Sequence, residues 1–391
     1  MSPRYVIISI LLSIFGHLSA QADTSAHRIY DRPFVLGFGP RASVGGYFEA
    51  NSNYFVEEGI TEGLSFEARR FNIFLFSAIS HNIRFFSELE FEHGTEEIAL
   101  ETAILDLTFD PFLNFRMGVL LPPLGRFNVE HDSPKYNMID RPLVSTRIIP
   151  ATLSEVGAGF FGQRYLNRRN RIGYEIYLVN GLNDGIVSND EAGTRIASGK
   201  SMEMLEEDNN GNPSVTGRIK FENRSFGEYG ISYYGGIYNS YLAEGMEIDE
   251  KRLLRILALD YDLRYKRLHW RGEFASASIQ VPDGLDELFG EKQWGFYSEL
   301  NYDYFRGKLF SFDKAKMIAA IRFERIDLNM GTFDITDTNI GDETTRITVA
   351  HSFRLVENTV LKIVYQYNWY KDFTDNLIRS AGVQIGVAAY F

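Results

Sequence analysis

The chain ends on Ala381-Gly-Val-Gln-Ile-Gly-Val-Ala-Ala-Tyr-Phe391, and this ending constrains the fold more than any other stretch. Ala381, Val383, Ile385, Val387, Ala389 and Phe391 share one face of an extended strand, while Ser380, Gly382, Gln384, Gly386, Ala388 and Tyr390 share the other. One face is apolar and the other small or polar, and the alternation runs to the terminal aromatic residue. A soluble edge strand of this kind would invite aggregation. The closing strand of an outer-membrane β-barrel requires it, because one face meets lipid, the other a watery lumen, and closure leaves no unpaired edge.

The beginning of the chain agrees. Arg4 precedes an almost wholly apolar run from Tyr5 to Phe15, and Ala20-Gln-Ala22 has the small-x-small form of a signal-peptidase site. The expected organisation is a cleaved signal peptide over 1–22 and one barrel domain over 23–391, with 23–40 serving as an arm or plug. The apolar run is shorter than the roughly 20 residues of a spanning helix. No cysteine occurs anywhere, which excludes a lipid-anchored lipoprotein, disulfide staples and thiolate metal sites. The formal charge of −12, one unit more negative without Arg4, argues against nucleic acid as a partner.

Alternation can be followed through the chain, and it predicts an all-β antiparallel transmembrane barrel of sixteen strands. Leu257, Leu259, Tyr261 and Leu263 alternate with Ala258, Asp260, Asp262 and Arg264; Leu361, Ile363, Tyr365, Tyr367 and Trp369 alternate with Lys362, Val364, Gln366 and Asn368. A helix would scatter these charges over its whole surface. Short turns are expected at Ser80–Asn82, Asp110–Leu113, Asn167–Asn170, Asn223–Gly227, Tyr265–Arg267 and Leu355–Asn358. Long connections are expected at Asn51–Glu62, Pro122–Ser154, Gly181–Pro213, Asn239–Glu250, Gln280–Lys292 and Asp327–Asp342. Barrels of this type keep short turns in the periplasm and long loops outside. The segment Phe305–Ala315 is long for a periplasmic turn and is the weakest part of the strand count.

The connection over 122–154 is unlike the others. It carries Phe127, Val129, Met138, Ile139, Leu143, Val144, Ile148 and Ile149, with prolines at 122, 123, 134, 142 and 150. Apolar residues need a wall to pack on, so the third loop is expected to fold into the barrel and narrow it. Arg116 on the adjoining strand, with Arg126, Lys135, Arg141 and Arg147 facing Glu130, Asp132 and Asp140, are the candidate constriction residues. The competing arrangement is a lid over the barrel mouth.

Phe115-Arg-Met-Gly-Val-Leu-Leu-Pro-Pro-Leu-Gly125, Asp140-Arg-Pro142, Ile148-Ile-Pro150, Glu155-Val-Gly-Ala-Gly-Phe-Phe-Gly162, Gly217-Arg-Ile-Lys-Phe221, Leu259-Asp-Tyr-Asp-Leu-Arg-Tyr265 and Arg271-Gly-Glu-Phe274 follow one another in order. In these stretches the chain resembles the phosphate-selective porin O/P-like family of Gram-negative outer membranes. The resemblance implies a sixteen-stranded porin, often a homotrimer, with an inward third loop and a terminus at Phe391 read by the barrel-assembly machinery. It also implies outer-membrane lipid and lipopolysaccharide as surroundings. Family anion channels cluster arginine and lysine in the pore. Here the wall candidates Arg84, Glu88, Arg218, Lys220, Arg264, Arg271 and Arg322 belong to a near balance of acids and bases, so phosphate selectivity does not carry over. Pairing across neighbouring strands is the plainer role for most of them.

No catalytic or metal residue, and no cofactor, is assigned from the sequence. Glu130, His131 and Asp132 are adjacent, and on an extended chain they point to opposite faces; His93 lies beside acids, but no second histidine stands at ligand spacing. The expected function is passive diffusion of small hydrophilic solutes or ions. The alternative is a structural or surface-binding, adhesin-like barrel with a closed lumen.

Overall fold

A computed structural model of the protein describes residues 42–391 except Thr95 and Asp286. The expected signal peptide and the arm over 23–40 lie outside the described residues.

The alternating segments form β1 (Ser43–Glu57), β2 (Leu64–Ala78), β3 (Ile83–Glu92), β4 (Glu97–Thr108), β5 (Asn114–Leu120), β6 (Glu155–Tyr165), β7 (Asn170–Val179), β8 (Ser214–Asn223) and β9 (Gly227–Ile237). After a two-stranded ribbon, β10 (Leu242–Ala243) and β11 (Met246–Glu247), come β12 (Leu253–Tyr265), β13 (Leu268–Ile279), β14 (Lys292–Leu309), β15 (Phe312–Asp327), β16 (Glu343–Val356), β17 (Thr359–Lys371) and β18 (Leu377–Tyr390). Leaving out the ribbon, sixteen strands pair antiparallel, each with its sequence neighbour, and β1 pairs with β18 to close the barrel. At the seam Tyr47 stands opposite Tyr390, the Phe391 N–H donates to the Gly46 carbonyl (3.0 Å), and the Phe391 ring stacks on Phe71. Along most strands buried inner-face residues alternate with more exposed ones. The latter, such as Leu257, Leu259, Ile363, Tyr365, Val383 and Ile385, form the exposed outer band. Among the described residues no helix is long and apolar enough to cross a membrane.

Two boundaries differ from the sequence expectation. The first long connection does not begin at Asn51: β1 runs to Glu57, and residues 51–57 pair with β18, their polar side chains alternating inward like the rest of the lumen wall. The segment Phe305–Ala315 is not a turn but the extended ends of β14 and β15. They meet at a two-residue turn with Phe310 at φ 52°, and register shifts after Asp303 and Gly307 absorb the irregular pattern.

Two other bulges matter for the interior. Glu49 faces Arg70 and Ala50 faces Ala68, so Arg69 is an extra residue in β2. Glu88 faces Thr102 and Leu89 faces Leu100, so Glu101 is an extra residue in β4. Each bulge shifts the alternation and turns an additional charge toward the lumen.

The third loop lies inside the barrel. Its apolar residues Leu124, Val144, Ile148, Ile149 and Leu153 join one buried cluster with Leu182, Ile186 and Ile196 of the next connection and with Leu254, Ile256, Ala275, Ala277 and Ile326 of the wall. On β12–β15 the inner face is thus apolar toward the long loops. Next toward the short turns comes a charged layer of Asp260, Asp262, Arg271, Glu273, Glu299, Arg322 and Glu324.

Candidate permeation site

Inner-wall side chains fix the path of the third loop. Gly125, at φ +65°, brings its N–H to the Ser232 hydroxyl (2.8 Å). There is no room for a side chain: a Cβ would stand 2.9 Å from Ile149 Cδ1 and 3.0 Å from Glu273 Oε1. Glu273 then holds both limbs, accepting from the Phe127 N–H through Oε1 (2.5 Å) and from the Ser145 hydroxyl through Oε2 (2.5 Å). Between these points the chain crosses toward the seam. The Tyr390 hydroxyl donates to Asp132 (2.5 Å), and the Ser133 hydroxyl donates to Glu49. Lys362 Nζ donates to the carbonyls of Ser133 and Met138, each at 3.0 Å. Arg354 binds the Pro134 carbonyl (2.7 Å) and the Asn137 side chain, Arg322 binds the Asp140 carbonyl (2.9 Å), and Glu324 accepts from the Leu143 N–H (2.7 Å). The short helix α1 (Leu143–Arg147) begins there. Backbone amides and carbonyls of an irregular segment need partners when buried, and the charged inner wall supplies them.

The candidate constriction residues do not converge on a single gap. Arg126 pairs with Glu130 (2.8 Å) within the loop and reaches Glu228 and Asp262 on the wall (3.6 and 3.7 Å). Burial alone would raise the Glu130 pKa, but Arg126 and Lys135 outweigh it and hold the carboxyl below its ordinary range. Lys135 stands 4.0 Å from Asp132. Asp140 pairs outside the loop with Arg69 (2.9 Å) and accepts from Gln384 (3.3 Å). Burial opposes its ionisation, yet Arg69 and then Arg346 pull its pKa down to about 2. Arg141 faces Glu90 and Glu92 of β3 at 3.6 and 3.9 Å. Arg147, 48% exposed, faces Glu191 of the next long connection. Arg116 is a wall residue, bidentate to Asp106 (2.7 Å) and stacked over Phe161.

The wall candidates are mostly paired. Arg218 binds Asp260 and Glu228 (2.5 and 2.7 Å), Arg271 binds Glu299 (2.5 Å) and lies over the Tyr136 ring, and Arg322 binds Glu324 (2.9 Å). Lys220 faces Glu228 (3.6 Å), while Arg264 stays 69% exposed beside Asp262 (3.4 Å). Arg84 stands opposite Asp106 in register, and Glu88 is buried, accepting from Asn72 Nδ2 (2.8 Å). Sequence alternation did not single out Glu49, Arg69, Arg70, Glu101 or Glu228. Arg70 gathers Glu49 and Glu92 (2.9 and 2.6 Å) at the bulge that hides both arginines from a period-two reading.

At the short-turn end the interior opens into a vestibule of about 940 Å³. Arg126, Phe127, Glu130, Pro134, Lys135 and Tyr136 of the third loop line it, with the ends of β7, β8, β12, β13 and β18. Nine of its lining residues are lysine or arginine and five are aspartate or glutamate, an excess of four positive charges with His269 neutral.

No protein-family model matches the chain. An uncharacterized protein of Aquifex aeolicus is 27% identical over 391 residues, spanning 90% of this chain and 83% of that one. Among solved structures, an anion-selective porin from Comamonas acidovorans superposes with a TM-score of 0.58 at 10% identity, over 90% of this chain and 99% of the porin. The outer-membrane channel DcaP of Acinetobacter baumannii gives 0.56 at 11% identity, over 90% and 97%. OmpF of Salmonella typhi, in complex with daunomycin, gives 0.54 at 10% identity, over 90% and 98%. The likeness to these Gram-negative outer-membrane porins and channels is one of fold.

Proposed function

We propose that this protein is an integral outer-membrane porin that gives passive diffusion to small hydrophilic solutes or ions, with the loop over 122–154 setting the narrowest part of the water path. One observation carries the reading: the third loop forms the inner boundary of a charged vestibule that opens at the short-turn, periplasmic end. Its polar bonds go to β1–β4, β9 and β12–β18, so the path runs along the remaining wall of β5–β8, past Lys220. The four excess positive charges favour anions modestly. Phosphate selectivity is not part of this reading, because the wall cations Arg116, Arg218, Arg271 and Arg322 are already neutralised by carboxylates. The outer band meets lipid and lipopolysaccharide, Phe391 presents the chain to the assembly machinery, and three barrels associate as in the porins the sequence resembles.

The apolar layer between the third and fourth long-loop-side connections favours a second reading, a barrel closed at that level whose loops bind a surface partner. Planar-bilayer recording separates the two. Steady conductance steps that scale with salt support the porin; a folded, heat-modifiable protein that stays silent supports the closed barrel.

A further inference from the structure

The bulge in β4 has a chemical consequence. It turns the side chain of Glu101 into the lumen next to Glu88 of β3, and the third loop lowers His131 onto the pair. Glu101 and the His131 ring are wholly enclosed, at 1% and 0% side-chain exposure. His131 Nδ1 lies 3.0 Å from the Asn128 carbonyl. A carbonyl oxygen only accepts, so Nδ1 carries a proton, and the ring's other nitrogen is aimed by that bond. Nε2 lies 2.9 Å from Glu101 Oε1, and one donor atom from each of Glu88, Glu101 and His131 falls within 4.8 Å of the other two. Asn72 Nδ2 orients Glu88 through a 2.8 Å bond. The nearby guanidinium groups are engaged elsewhere: Arg70 with Glu49 and Glu92, Arg141 with Glu90 and Glu92.

We propose that Glu88, Glu101 and His131 form a site for a borderline divalent metal ion of the zinc class, which fastens the third loop to β3 and β4. An imidazole whose far N–H is tied to a backbone carbonyl, facing two carboxylates, is a ligand arrangement such ions use. An ion bound at about 2.0–2.2 Å from nitrogen and oxygen holds its donors roughly 3.0–3.6 Å apart. His131 and Glu101 need only part by a few tenths of an ångström, while the Glu88 carboxylate swings inward. One imidazole with two carboxylates suits zinc, iron(II) or cobalt(II) better than calcium or magnesium, which prefer all-oxygen shells. The competing chemistry is a simple imidazolium–carboxylate pair. The inference does not depend on whether the barrel conducts.

The test uses untagged, folded protein in detergent, stripped with EDTA and dialysed against Zn2+. Metal analysis is expected to give about one tightly held zinc per chain, undisturbed by excess Ca2+. Glu101→Gln and His131→Gln should each lower this to background, whereas His93→Ala, at an exposed histidine, should not. Zinc should raise the temperature of heat modification of the wild type and leave Glu101→Gln unchanged. Should either variant fail to fold, X-ray absorption on the zinc-loaded wild type decides: one imidazole in an oxygen-rich shell supports the site, and a shell with no imidazole overturns it. Wild-type binding below about one ion per ten chains also overturns it, as does undiminished binding in folded His131→Gln.

Discussion

Glu273→Ala should release the third loop from the wall while leaving the barrel closed. The wild-type carboxylate accepts from Phe127 N–H and Ser145 O–H at 2.5 Å each, on either side of the crossing. Losing it strands a buried amide and a buried hydroxyl, at about 1–3 kcal/mol each before water enters. Allowing for that water, about 2–4 kcal/mol remains, which lowers the ratio of held to released loop by roughly 30- to 900-fold. Glu273→Gln retains a carbonyl for the Phe127 amide and offers an N–H to the Ser145 oxygen, so its effect should stay below about 1 kcal/mol. The main-chain pairing of Glu273 with Asp260 and Tyr297 is unaffected in both. The expected results for the alanine variant are greater open-channel current noise and trypsin cleavage at Lys135, with a heat-modification temperature close to wild type. Wild-type noise together with full trypsin resistance would show that the loop's other contacts hold it without Glu273.

Other consequences follow from the same geometry. Removing Asn128–Ile139 should raise conductance and admit larger solutes from a barrel that still folds; unchanged conductance, with the remaining loop open to external protease, would place the constriction elsewhere. Arg126→Gln with Lys135→Gln should move the reversal potential toward cation preference, with the shift shrinking as salt rises. Arg147→Gln, exposed and paired with Glu191, should leave it unchanged. Asp140 has a folded pKa of about 2 against an ordinary 3.8, so its stabilisation is full above about pH 4 and lost as pH falls through 2. That acid-labile part is worth about 2 kcal/mol, and in Asp140→Asn the fall in loop protection between pH 4 and 2 should flatten, as proteolysis with an acid protease would register. Phe391→Asp should sharply lower outer-membrane levels although the ring's stack on Phe71 contributes only about 0.5–1.5 kcal/mol; normal levels would dismiss recognition of this terminus.

The strand pattern was legible wherever lipid and lumen alternate without interruption, as in β12, β15, β17 and β18. The physics there is local, because each residue's face follows from its parity. The inward course of the third loop was legible for a related reason, since Ile148, Ile149 and Val144 have nowhere else to be buried. The partners of its charges were not. A bulge changes parity without marking the sequence, so Arg69 and Glu101 looked like outward residues of their strands. The grouping of Glu88, Glu101 and His131 unites two strands and a loop through tertiary contacts that no spacing rule contains. Glu130, His131 and Asp132 do diverge as extended neighbours should, toward Arg126, Glu101 and Tyr390. What mattered for His131 was the set of residues it met, not its own neighbours.

The bonds around Ser133 touch both ends of the chain. Glu49 belongs to the first strand, Lys362 to the penultimate one and Tyr390 to the last, and the middle of the protein holds all three. Joining β1 to β18 brings together strands from opposite ends of the sequence, the slowest contact for a chain to find unaided. A loop already seated on β1 presents Asp132 and Ser133 as a jig on which the late strands can be set. Closure then becomes a short search around a fixed post.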